Sequence, residues 1–155
     1  MPEVQLPESQ FLAEVERLVA RAEERGIPLR VCGSVGLYYH VRSDPLARAL
    51  YQCRGGQLSG EPRFKDLDLA SLEKKSSDIY KLFVRELGYL EDTETNSLFG
   101  MYRNIYYHPE FQIDVFYDTL RFSHEIPLKG RFPPGTTLAL EDLLLAKAQI
   151  HVATL

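Results

Sequence analysis

Arg63-Phe64-Lys65-Asp66-Leu67-Asp68-Leu69-Ala70 decides how the rest of the chain is read. Acidic Asp66 and Asp68 alternate with apolar Leu67 and Leu69. In a β-strand, residues two apart face the same side. The stretch is therefore expected to be a strand, with both leucines in a core and both carboxylates on the opposite face. Two carboxylates about 6–7 Å apart on a rigid strand repel each other unless a cation lies between them. A paired, acidic, oxygen-only set suits Mg²⁺. Two solvated acids on the polar face of an edge strand would give the same pattern.

Outward from this strand, three further segments carry chemistry. Leu29–Cys32 reads as a short apolar strand running straight into Gly33-Ser34 and a helix over Val35–Tyr39, with Ser34 as its N-cap. Free backbone N–H groups at such a helix start, together with the helix dipole, suit phosphate, although a plain strand-to-helix turn looks the same. Met101–Tyr107 and Phe111–Tyr117 read as a hairpin turning at His108-Pro109-Glu110, with His108 expected to be exposed. In the second of these strands Gln112, Asp114 and Phe116 share one face, and Ile113, Val115 and Tyr117 the other. Leu140–Leu155 reads as a Leu/Ala-rich helix carrying Lys147.

The remaining segments are scaffold. Glu8–Arg25 shows helical spacing of Phe11, Leu12, Val15, Leu18, Val19 and Ala22, ended by Gly26 and Pro28. Asp44 caps a helix that begins at Pro45 and runs to Tyr51. Cys53–Pro62 is glycine-rich, but it lacks the Gly-Lys-Ser/Thr ending of a P-loop and reads as a flexible connection. Ser76 or Ser77 is expected to cap a helix running to Leu87, with Ile79, Leu82, Phe83 and Leu87 buried and Gly88 at its end. Asp92–Asn96 is expected to be a polar turn, Phe122–Leu128 a weaker strand after a turn at Asp118, and Pro133-Pro134-Gly135 a break.

Bulk properties narrow the classes. The 155 residues fit a single domain with its own core. A net charge of −4, from 18 basic and 22 acidic residues, argues against non-specific adhesion to nucleic acid. No run approaches a membrane span, and the N-terminus lacks a signal-peptide pattern, so a cytoplasmic location is expected. The two cysteines make neither a disulfide framework nor a zinc site, and Cys32 reads as a small core residue. The four histidines show no metal spacing, and no Ser/His/Asp or Cys/His arrangement supports hydrolase chemistry. Of Tyr38 and Tyr39, either stacks on a base or one packs while the other covers the core edge.

Taken in order, Gly33-Ser34, Asp66-Leu67-Asp68 and Asp114 within Gln-Ile-Asp-Val-Phe resemble the polymerase-beta-like nucleotidyltransferase superfamily. Arg63-Phe-Lys-Asp-Leu-Asp and the helix from Leu140 to Lys147 look most like its AbiEii-type and related minimal members. The resemblance implies an α/β (α+β) domain, with a mixed, mainly antiparallel sheet flanked by helices. It implies metal-dependent transfer of an NMP from an NTP, such as ATP, to a hydroxyl of RNA, protein or a small molecule, with release of pyrophosphate. Asp66, Asp68 and Asp114 would be catalytic and would hold two Mg²⁺ ions, or Mn²⁺. Gly33, Ser34, Arg63, Lys65 and Lys147 would contact the nucleotide. Arg63 and Lys65 could equally pair with the acids, and a lysine placed as Lys147 is on a Leu/Ala helix is more often a surface lysine. The spacing from Gly33 to Asp66 is longer than usual in this family, which makes residues 42–62 an expected insertion. The family's further Arg-Asp-x-x-Asp helix is not in the chain, so a C-terminal helical part is expected to be missing. The other function class is a catalytically inactive module of the same fold that binds an NTP or a partner, as in a toxin–antitoxin component.

Overall fold

A computed structural model of the chain describes residues 6–54, 64–121 and 125–153. The first helix, α1 (Glu8–Glu24), buries Phe11, Leu12, Val15, Leu18, Val19 and Ala22, the stripe expected from their spacing. Gly26 ends it in the left-handed region, at φ +69°. The Gly26 N–H donates to the Glu23 carbonyl at 3.0 Å, and the Ile27 N–H to the Ala22 carbonyl at 2.9 Å. This paired closure satisfies two terminal carbonyls and puts buried Ile27 against the last turn.

Five strands form the main sheet: β1 (Arg30–Cys32), β2 (Asp66–Ser71), β3 (Leu90–Glu91), β4 (Arg103–His108) and β5 (Phe111–Tyr117). Their order across the sheet is β1-β2-β5-β4-β3. Only β2 and β5 run parallel; the other neighbours are antiparallel. The fold is thus mixed α/β with a mainly antiparallel sheet flanked by helices, as expected. Burial alternates along β5, with Phe111, Ile113, Val115 and Tyr117 inside and Gln112, Asp114 and Phe116 half-buried on the other face.

The larger core lies on the leucine face of β2. Leu67, Leu69, Ile113 and Val115 meet α1 and the helix starting as α4 (Ser76–Tyr80), which contributes Ile79. Burying each such side chain fully stabilises by roughly 1.5–3 kcal/mol. The α4 helix continues over Lys81–Glu86 in wider π geometry, which turns Leu82 and Phe83 inward. Gly88 follows with φ +75°. A 3₁₀ turn, Glu73–Lys75, leads into α4, and Lys75 stands at its N-cap. The expected serine cap is therefore absent: Ser76 is already the first helical residue.

The opposite face carries a smaller core of Cys32, Ala70, Leu120, Ile126, Leu128, Leu138 and Leu143. A two-stranded hairpin, β6 (Thr119–Arg121) with β7 (Glu125–Pro127), supplies part of it. Strand β7 falls within the expected Phe122–Leu128 strand. The chain then returns past the Pro133-Pro134-Gly135 break along the outer edge of β1. There the Val31 N–H donates to the Thr136 carbonyl at 2.7 Å, and the Leu138 N–H to the Val31 carbonyl at 3.1 Å. This return covers an edge strand that would otherwise expose unpaired backbone.

Four other helices are found among the described residues. Helix α2 (Gly33–Val41) follows β1 directly, α3 (Pro45–Arg54) follows α2, and α6 (Leu140–Ala153) lies beside α2. Asp44 caps α3 as expected, its Oδ1 accepting from the N–H groups of Leu46 and Ala47. A fourth, α5 (Thr93–Phe99), replaces the expected polar turn: Asp92 caps it by accepting from the Thr95 N–H at 3.0 Å. The polar residues of Asp92–Asn96 are thus a helix start, which composition alone does not distinguish from a turn.

His108 also departs from expectation. It stacks on Phe111, with ring centroids 4.1 Å apart, and its Nε2 lies 3.4 Å from Glu14. Burial holds its pKa below the usual histidine value, against the opposing pull of Glu14. The hairpin turn folds back onto α1 rather than into solvent. Tyr38 packs fully into the core, and Tyr39 covers its edge.

Candidate active-site cleft

The strand registers place the acids. Because β2 and β5 are adjacent and parallel, Asp68 stands directly beside Asp114, and Asp66 beside Gln112. Cys32 is opposite Asp68 on the other side, and Ile105 opposite Asp114. Side chains paired across strands share a face, so Cys32, Asp68, Asp114 and Ile105 form one row. The next row is Arg30, Ala70, Phe116 and Arg103. The parallel β2–β5 pairing is what converts two separate acidic motifs into one site.

Gly33 closes the cleft from the β1 side. Its φ of +63° lies in the left-handed region, and a Cβ built there would collide with Asp68 Oδ2. Only glycine therefore fits at this junction, and the start of α2 is brought against the Asp68 carboxylate. Helix α2 begins at Gly33 itself with Cys32 at the N-cap, so Ser34 is not the cap; it lies one residue inside the first turn. Gly36, one turn further, has no room for a Cβ, which would sit 2.9 Å from the Val31 carbonyl and 3.2 Å from Leu143. That close approach draws α6 over the site.

The resulting cleft has a volume of about 370 Å³. Gly33, Ser34, Asp68, Asp114 and Lys147 all line it. Five of the eight expected site residues are thus brought together from four elements. Asp66 is exposed at the start of β2 and does not line the cleft. Lys65 is exposed just before that strand. Arg63 and residues 55–62, the part of the expected 42–62 insertion that follows α3, lie outside the described residues.

Electrostatics reflect this convergence. The Asp68 carboxyl is pushed up to about 6, first by burial and then by the negative charges of Asp114 and Asp66. Arg103 and Lys147 pull in the opposite direction. Burial, then the neighbouring acids Asp68 and Asp114, raises the Cys32 thiol, so Cys32 is an inert wall rather than a nucleophile.

Arg103 is the residue missed in the sequence reading. Its guanidinium donates to Asp114 Oδ2 at 3.3 Å and lies over the Phe116 ring, 5.6 Å from the centroid. The signal was present: a hairpin turn at Pro109-Glu110 pairs His108 with Phe111. Counting back from that pair puts Arg103 opposite Phe116, on the same face as Asp114.

The donor set agrees with Mg²⁺ in chemistry: two carboxylates side by side, one of them raised first by burial and then by its neighbour's charge. Among the described residues, no three His, Cys, Asp or Glu side chains are grouped to hold an ion by themselves. Mg²⁺ does not need such a cage. It commonly takes one or two carboxylates and completes its shell with water and substrate phosphate. No family model, curated protein or solved structure matches the chain.

Proposed function

We propose that this cleft binds a nucleoside triphosphate with Mg²⁺ and transfers its NMP to a hydroxyl acceptor, as in the nucleotidyltransferase superfamily that the sequence resembles. One observation carries the reading: the Gly33-Ser34 helix start, the Asp68–Asp114 pair and Lys147 line a single cleft. Asp68 and Asp114 would hold the metal, with Asp66 as an outer acid. Bound Mg²⁺ would supply charge neutralisation and a lowered pKa for the attacking hydroxyl. The N–H groups at the start of α2, with Lys147, would hold the phosphates. In the reaction the acceptor oxygen forms a bond to the α-phosphorus, and the bond from that phosphorus to the bridging oxygen breaks. Pyrophosphate leaves, and the acceptor proton passes to a carboxylate of the pair.

A second reading is favoured by a different observation. Asp114 is already paired with Arg103, and Asp66 stands outside the cleft. A module that binds an NTP without catalysis would have this arrangement. Calorimetric titration of ATP, GTP, CTP and UTP, with and without Mg²⁺, tests the site on the native chain and on Asp68→Asn. Mg²⁺-dependent binding that disappears in the variant is the expected result. No binding of any nucleotide would overturn both readings. Binding without transfer to RNA, protein or small-molecule acceptors would favour the second. If transfer occurs, Asp66→Asn with Asp68→Asn should abolish it without unfolding the protein, and full retained transfer would sink the mechanism.

A further inference from the structure

We infer that Arg103 is a phosphate-binding residue of the cleft, its guanidinium taking a phosphate oxygen of the nucleotide in addition to its contact with Asp114. The inference deepens the nucleotide-binding reading but rests on its own observations. Arg103 Nε is buried and has no hydrogen-bond partner among the described residues. A buried donor left without an acceptor is costly and rare in a native fold. It marks a place where an acceptor is missing, and an arginine fork is matched in shape and charge by a phosphate.

The surroundings agree. Of the guanidinium's five N–H donors, the described contacts use one, and that bond to Asp114 is a long 3.3 Å. The group is 42% exposed, so it is not locked into the core. The Phe116 ring lies beside it, 5.6 Å from Cζ to the ring centroid, and both residues line the cleft. Arg103 projects from β4, whereas Lys147 projects from α6, and the two acids stand on the strands β2 and β5. Both cations line the cleft that holds Asp68 and Asp114. An anion held between them would have cationic groups from two separate elements. The bare carboxylate pair would repel it, which is why Arg103 matters most where a phosphate must lie near Asp114.

The alternative is that Arg103 only neutralises Asp114. The two roles make opposite predictions for its removal. A neutralising arginine competes with Mg²⁺ for Asp114, so its loss would tighten Mg²⁺-dependent binding. A phosphate-binding arginine loses affinity when removed, and lysine does not restore it, because the planar two-point fork is gone.

The test uses sodium pyrophosphate and ATP as separate probes, each titrated calorimetrically in Mg²⁺ into the full chain. The proteins are the native chain, Arg103→Ala, Arg103→Gln and Arg103→Lys, each checked for an intact melting transition. The expected result is a loss of pyrophosphate affinity of about tenfold or more in Arg103→Ala and Arg103→Gln. Arg103→Lys should recover only a minor part of that loss. Unchanged or tighter pyrophosphate binding in Arg103→Ala would overturn the inference, as would absence of pyrophosphate binding by the native chain. Arg103-dependent pyrophosphate binding without any binding of ATP, GTP, CTP or UTP would support the phosphate site and sink the nucleotide reading. The two can therefore fail separately.

Discussion

Gly33 and Asp68 set the character of the cleft at the scale of single residues. A Gly33→Ala change forces a left-handed φ on a residue with a Cβ and drives that Cβ into Asp68 Oδ2. It should cost about 1–3 kcal/mol by urea unfolding and should remove nucleotide binding together with that stability. Asp68 makes the reverse prediction for stability. Its folded pKa, about 6, lies above the ordinary carboxyl value of 3.8 because of burial and the charges of Asp114 and Asp66. The ionised form is therefore disfavoured in the folded state. That penalty is absent below about pH 4, grows as pH rises through the folded value, and is complete above about pH 7. Asp68→Asn removes it. The variant should be more stable than the native chain at pH 8 by about 1–3 kcal/mol, with the difference vanishing near pH 4. Urea midpoints at the two pH values check this. A variant less stable at pH 8 would mean that Asp68 is better compensated than its neighbours imply.

At the scale of elements, α6 is the lid of the site and its attachment is traceable. Asp142 is buried, and Arg131 reaches it from the preceding segment at 2.7 Å. Leu143 packs in the smaller core beside Gly36. Arg131→Ala leaves a buried carboxylate unpaired and should cost about 1–3 kcal/mol, less than for a fully buried pair because Arg131 is half exposed. Nucleotide affinity should fall with it, because Lys147 is carried on the same helix. Thermal melts and calorimetry on one variant measure both. An unchanged affinity would show that Lys147 is not part of the binding site. Strand β5 is the other decisive element, standing between β2 and β4. Ile113 is fully buried on its core side, directly behind the face bearing Asp114. Ile113→Ala should cost about 2–5 kcal/mol in a urea unfolding series.

At the scale of the whole molecule, ligand and stability are linked. A Mg²⁺–NTP complex that binds only the folded cleft should raise the melting temperature by about 5–11 °C at concentrations near 100 Kd. Chelation with EDTA should reverse the shift, and Asp68→Asn should not show it. Differential scanning calorimetry with each component omitted in turn is sufficient. A rise that persists in EDTA would place the binding outside the carboxylate pair.

Much of this molecule is legible in its sequence, and the reason is local physics. Helical spacing from Phe11 to Ala22, the glycine after α1, the alternation in Asp66–Leu69 and in Phe111–Tyr117, and the cap at Asp44 all follow from forces acting within one or two turns of chain. Polar segments misled where one composition serves two structures. Asp92–Asn96 starts a helix, Ser34 and Ser76 lie inside helices rather than capping them, and His108 stacks on Phe111 across its own hairpin and meets Glu14, a partner far away in the chain. The site lies beyond local forces. Asp68 meets Asp114 only because β2 and β5 pair in parallel, in one register among several that alternation allows. Arg103 joins them across a hairpin, Asp66 is left at the rim, and Lys147 arrives on a helix that Gly36 lets close against α2. Local sequence decides which way a side chain points on its own element; which side chains point at one another depends on strand order and register, and those are settled only when the whole core closes.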